Sequence, residues 1–136
     1  MKVYSKLIAV IATHPGAGRS ICTASIAMNL AKRWRCTAVD LDTPSGSLKN
    51  LLGAARVANL GYLPLSRSGH DTETLLRVLR QSSEHYAVTR LPAETTSDAL
   101  ELFAAADIPI VVTQAGDSAL EDLRSFFKQL DAKQFK

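Results

Sequence analysis

An unbroken apolar run, Leu7-Ile8-Ala9-Val10-Ile11, leads through Ala12-Thr13-His14-Pro15-Gly16-Ala17-Gly18-Arg19-Ser20 into a helical pattern over residues 18–34. A run with no polar alternation reads as a strand buried on both faces, which demands helices above and below it. Small residues in the turn let successive backbone N–H groups converge, and the following helix adds partial positive charge at its N-terminus. A phosphate-binding loop is therefore the first chemistry to weigh, with Gly16, Ala17, Gly18, Arg19 and Ser20 as its residues.

The alternation continues along the chain. Residues 37–42 read as a second strand and 47–54 as a short helix. The stretch 57–65 is interrupted by Gly61 and Pro64 and reads as a loop with room for a short strand. Asp71 caps a helix over 72–83 that turns Leu75, Leu76 and Leu79 inward. Residues 86–91 form the next strand, Thr96 or Ser97 caps a helix through Ala105, and 108–113 form another strand. Asp117 or Ser118 starts a final helix, from about Ala119 to Phe135, carrying Leu120, Leu123, Phe126, Phe127 and Leu130. Strands and helices in this order predict an α/β fold: a mostly parallel sheet with helices on both faces, in three layers. The crevice of such a sheet lies beyond the carboxyl ends of its strands. Residues 13–20, Asp40, Asp42, Arg90 and residues 113–116 all fall there.

Length and composition narrow the classes. With 136 residues, 46% apolar and 21% charged, the chain fits one globular domain over 1–136 rather than a disordered segment. A net charge of +3 is too small to argue for nucleic acid. Lys32, Arg33 and Arg35 complement the negative end of the first helix. Cys22 and Cys36 lack metal-ligand spacing and read as small apolar packers. The first apolar run is too short to span a membrane and shows no cleavage signature, so a cytoplasmic location is expected. Lys128, Lys133 and Lys136 beside the apolar stripe of the last helix suggest a membrane-surface helix, but Glu121 and Asp122 in its first turn favour ordinary packing on the sheet. No strong nucleic-acid or membrane signal remains. His14 reads as a solvent-facing loop residue, and neither His70 nor His85 takes a catalytic role.

Against the pattern G-x-x-x-x-G-K-[ST], Thr13 holds the first glycine position and Gly18 the second. Arg19 holds the lysine position, and Ser20 supplies the hydroxyl that would bind magnesium. A competing reading makes 16–20 a tight strand-to-helix turn, with Ser20 as a helix cap that binds nothing.

Several segments together resemble the ParA/MinD family of P-loop ATPases. His14-Pro15-Gly16-Ala17-Gly18-Arg19-Ser20 followed by Ala27-Met28-Asn29-Leu30-Ala31 resembles its deviant Walker A loop and helix. Val39-Asp40-Leu41-Asp42 looks like its D-x-D switch segment. Tyr86-Ala87-Val88-Thr89-Arg90-Leu91-Pro92 looks like its Walker B strand, and Ile110-Val111-Val112-Thr113-Gln114 like the strand that follows. The Leu91-Pro92 pair and its spacing to Ala106-Asp107 are similar to the pilus-assembly branch, the CpaE/TadZ proteins. The resemblance implies ATP and magnesium as ligands, a homodimer, and Asp40 and Asp42 orienting the attacking water and the metal shell.

The departures from the family pattern fall on the chemistry. His14 stands for the signature lysine that reaches across the dimer, and Pro15 removes one N–H from the cradle. Arg19 keeps the charge of the loop lysine without its compact ammonium. Arg90 stands where the Walker B aspartate would hold magnesium. The resemblance further implies a longer family domain, whose C-terminal half supplies the adenine pocket and much of the dimer face and is not matched by these 136 residues. A charge buried at a strand end must be compensated. An ion pair of Arg90 with Asp40 or Asp42 is therefore preferred over a surviving metal site. The expected function is a degenerate, non-hydrolysing scaffold or localisation protein, with protein partners in a bacterial assembly such as a pilus, secretion or surface-polysaccharide system. No cofactor is expected. The alternative is a working ATPase with unusual motif residues that takes ATP and magnesium.

Overall fold

The structure is a computed structural model that describes residues 5–13, 18–41, 47–55, 57–65, 71–81, 85–92 and 96–132. Five strands, β1 (Lys6–Ala12), β2 (Cys36–Asp40), β3 (Leu60–Pro64), β4 (Tyr86–Arg90) and β5 (Ile108–Val112), alternate with five helices. The helices are α1 (Arg19–Leu30), α2 (Ser47–Ala55), α3 (Thr72–Arg80), α4 (Ser97–Ala105) and α5 (Ala119–Ala132). The strands form one all-parallel sheet in the order β3-β2-β4-β1-β5. The apolar run expected to be buried on both faces is so: β1 sits between β4 and β5, and every residue from Leu7 to Ala12 is buried.

Strand alternation sorts the core into two layers. Leu7, Ala9, Ile11, Val39, Ala87 and Leu91 point to one face, against Leu75 and Leu79 of α3, Leu100 and Phe103 of α4, and Phe126 of α5. Ile8, Val10, Ala38 and Val88 point to the other, against Ala24 and Ala27 of α1 and Leu48 and Leu52 of α2. The expected α/β architecture with helices on both faces is thereby realised. Asp71 caps α3 by accepting from the Thr74 N–H at 2.7 Å, and Thr96, rather than Ser97, caps α4 through the Ala99 N–H. At the amino end of the sheet, the Asp107 carboxylate accepts from the Leu7 N–H at 2.7 Å and from Arg80 at 2.8 Å, tying β1 to α3 and to the start of β5.

One open expectation is resolved and three need correction. Of the stretch 57–65, expected to be a loop with room for a short strand, residues 60–64 form that strand: Asn59, at φ 66, turns the chain into β3, a full member of the sheet. Gly61 and Pro64 are tolerated there because β3 is an outer strand. Asn59 and Leu65 bond β2 through the Cys36 N–H and the Asp40 carbonyl, so residues 60, 62 and 64 point their backbone polar groups outward. The missing N–H of Pro64 therefore falls on the unpaired side. Pro109 in β5, the other outer strand, is placed in the same way, since Val112 bonds Thr13 of β1 and residue 109 has the opposite parity.

Helix α1 stops at Leu30 rather than Trp34. Lys32, Arg33 and Arg35 lie beyond it, and Trp34 packs its ring edge-on against Tyr86 at 5.5 Å. The last helix meets the core through Phe126, edge-on to Phe103 at 5.4 Å. Leu120 and Phe127 are 59% and 49% exposed, because a helix beside an outer strand presents only one line of residues to the sheet. Finally, Ser20 is not a helix cap: Gly18 holds that position at φ 97, a left-handed conformation that favours glycine.

No helix among the described residues is long and apolar enough to cross a membrane. Burial pushes the Cys22 and Cys36 thiols above their ordinary range, which suits two packing residues better than reactive thiolates. His85 accepts the Arg35 N–H on Nδ1, an ordinary turn contact.

Candidate functional site

Strand parity and register build the site. Asp40 and Arg90 are the last residues of adjacent strands, directly paired in register, and both share the face of Ala38 and Val88 that α1 covers. Both side chains are 0% exposed. The Arg90 guanidinium meets the carboxylate side-on: Nε donates to Oδ1 and Nη2 to Oδ2, each at 2.9 Å. Its Nη1 donates to Oγ of Ser20 in the first turn of α1. Tyr62, reaching across from β3, donates its hydroxyl to Asp40 Oδ2 at 2.8 Å. A planar guanidinium matches a carboxylate in two parallel bonds, and such charge-assisted pairs are the strong ones.

A second arginine runs the opposite way. Arg19, at the start of α1, donates from Nη1 to the carbonyl of Leu91, just past the end of β4. Arg90 thus rises from β4 to α1 while Arg19 descends from α1 to β4, and the helix N-terminus is clasped to the sheet from both sides. The backbone completes the frame, with Leu41 N–H on the Arg90 carbonyl and Leu65 N–H on the Asp40 carbonyl.

Of the residues singled out in the sequence, the structure brings Ser20, Asp40 and Arg90 into one cluster, with Gly18 and Arg19 beside it. His14, Pro15, Gly16, Ala17, Asp42 and His70 lie outside the described residues. Tyr62 was not anticipated. It sits in the stretch expected to be a loop with room for a short strand, and the strand pairs it with Ala38, two residues before Asp40, so that its long side chain reaches that carboxylate. Its hydroxyl is pushed up from 10.0 to about 12, first by burial, then by the hydrogen bond and charge of Asp40, with Arg90 pulling weakly the other way.

Folds of this kind hold a divalent cation between the loop hydroxyl and an acidic residue on a strand. The described residues do not fit one. Ser20 Oγ accepts from a guanidinium, Asp40 carries three donated hydrogens on its two oxygens, and the Arg90 charge opposes a second cation at contact distance. Among the described residues no group of three His, Cys, Asp or Glu side chains could hold a metal.

An all-parallel sheet ordered 3-2-4-1-5, with a glycine-capped helix following the interior strand β1, defines a P-loop NTPase-like α/β fold of the ParA/MinD type. Comparison with solved structures places it there. The chain superposes on the apo McdA of Cyanthece at TM-score 0.69 and 14% identity, covering 96% of this chain and 66% of that one. For the BceF tyrosine kinase domain the figures are 0.68, 17%, 94% and 64%. For the septum site-determining protein MinD of Pyrococcus horikoshii OT3, solved with Mg-ADP, they are 0.63, 19%, 92% and 65%. At such identities the likeness is one of fold, and the chain spans just under two thirds of the length of these three. No family model and no curated protein matches the sequence.

Proposed function

We propose that this chain is a ParA/MinD-like domain that does not hydrolyse nucleotide and acts as a scaffold or localisation protein in a bacterial assembly. A pilus, secretion or surface-polysaccharide system fits the sequence resemblance. In this reading the chain works in the cytoplasm, and a protein partner recruits it to the inner membrane. One observation carries the reading: the buried Arg90 guanidinium, bound to Asp40 and Ser20, stands where a hydrolytic site needs metal and acid. Phosphoryl transfer rests on positioning and on cations that neutralise developing charge at the phosphates. Here the cation is fixed within the protein, and its charge is balanced by Asp40. Exposed Ile21 on α1, Leu51 on α2, and Leu120 and Phe127 on α5 supply apolar surface for a protein partner or a second copy.

The alternative, an ATP-binding enzyme, draws on the Mg-ADP in the MinD structure and the ADP in a nucleotide-binding protein from Archaeoglobus fulgidus of the same fold. Titration calorimetry and a phosphate-release assay separate the two. The scaffold reading expects no magnesium-dependent turnover above background. Robust turnover that Arg19→Ala abolishes refutes it.

A further inference from the structure

Beside Tyr62, a cavity of about 270 Å³ opens between α2 and β3, with Lys49, Leu52, Gly53, Val57, Leu60 and Tyr62 among its lining residues. Three features give it a chemical character. Its walls are aliphatic and aromatic. Lys49 is exposed, and no carboxylate pairs with it among the described residues. The Tyr62 hydroxyl is already committed to Asp40, so the ring is offered to the cavity as an apolar wall.

Gly53 is the second, independent sign. It lies inside α2, where glycine costs about 1 kcal/mol relative to alanine. No close approach requires it, since a Cβ at that position would meet nothing within 4 Å. What the glycine does is leave the helix side of the cavity open.

We propose that this cavity binds a compact apolar molecule bearing one carboxylate, with the body against Leu52, Leu60 and the Tyr62 ring and the carboxylate on the Lys49 ammonium. The N–H groups of Leu60 and Tyr62 point outward from the sheet edge beside it and add donors of the same sign. This site is distinct from the loop and the buried pair, and it holds whether or not the chain turns over nucleotide.

Benzoate is the probe, and benzamide its neutral isostere. Backbone NMR titration of the full chain is expected to show benzoate shifting the amides of Gly53, Leu60 and Tyr62, with affinity on the order of 1 mM for so small a ligand. Benzamide is expected to bind several-fold more weakly. Lys49→Gln should weaken benzoate by roughly fivefold, the value of an exposed charge pair, and bring it level with benzamide. Gly53→Leu should abolish binding of both while leaving amide shifts in β1 and β4 unchanged, because the new side chain enters open space and improves helix propensity. Absence of shifts at these amides up to about 10 mM benzoate, at which a millimolar site would be near saturation, overturns the proposal. So does equal binding of benzamide by the unaltered chain, or benzoate binding undiminished in Gly53→Leu.

Discussion

Replacing Arg90 by methionine keeps the approximate bulk of the side chain and removes every charge-assisted bond it makes. Asp40 then remains as a fully buried carboxylate that still accepts from the Tyr62 hydroxyl but has lost its guanidinium. Breaking a buried pair from one side costs about 3–5 kcal/mol, because the partner's charge is left uncompensated in a medium that solvates it poorly. For a chain of this length that loss lowers Tm by about 10–17 °C. Asp40→Leu strands the guanidinium instead and should cost a similar amount. The double variant Arg90→Met/Asp40→Leu removes both charges and deprives the Ser20 and Tyr62 hydroxyls of these partners, at about 1 kcal/mol each. It should therefore be more stable than either single variant. Urea unfolding of the four proteins, read as a double-mutant cycle, supplies the test. A single-variant loss below about 1 kcal/mol, or a double-variant loss equal to the sum of the singles, would show that the pair is neither desolvated nor coupled as described.

Two further predictions follow from individual side chains. The Tyr62 hydroxyl, raised to about 12 against an ordinary 10.0, holds its proton more tightly in the folded than in the unfolded state. Its contribution to stability is therefore complete below pH 10 and lost as pH climbs toward 12. Ultraviolet titration should show one late phenolate that Tyr62→Phe removes; no difference between the two titration curves would count against the Asp40 contact. Thr89 lies in the core layer opposite Arg90, and its Oγ1 is buried with no hydrogen-bond partner among the described residues. Thr89→Val should therefore stabilise the fold by about 1 kcal/mol, seen as a higher urea midpoint at unchanged slope, and a lower midpoint would show that the hydroxyl is satisfied after all.

Much of the architecture was readable because its signals are local and agree with one another. The apolar run of β1 needs no context to read as a strand buried on both faces, and Asp71 with Leu75 and Leu79 declares both the start and the inner face of α3. The stretch around β3 was opaque for a physical reason. Gly61 and Pro64 argue against a strand everywhere except at a sheet edge, and edge position is a property of the whole topology. Tyr62 was missed with it, since its partner lies 22 residues earlier and comes within reach only through the parallel pairing of β2 with β3. Arg90 and Asp40 could be suspected of meeting because a buried arginine at a strand end demands an anion. What no linear pattern conveys is that they stand in exact register on one face, beneath the first turn of α1. Ser20 misled in the other direction. A hydroxyl near a helix start usually caps it, but the left-handed Gly18 takes that position and frees the hydroxyl for the guanidinium.

The two prolines bear on how this molecule fails when stressed. Each outer strand has one rung from which no hydrogen can be offered, so a neighbouring copy that tried to align along either margin would meet a gap in the ladder. Partial unfolding should accordingly lead to amorphous clumping through bared side chains before it leads to ordered fibres, and Pro109→Val, which restores a donor on the flank of β5, is the change most apt to reverse that preference.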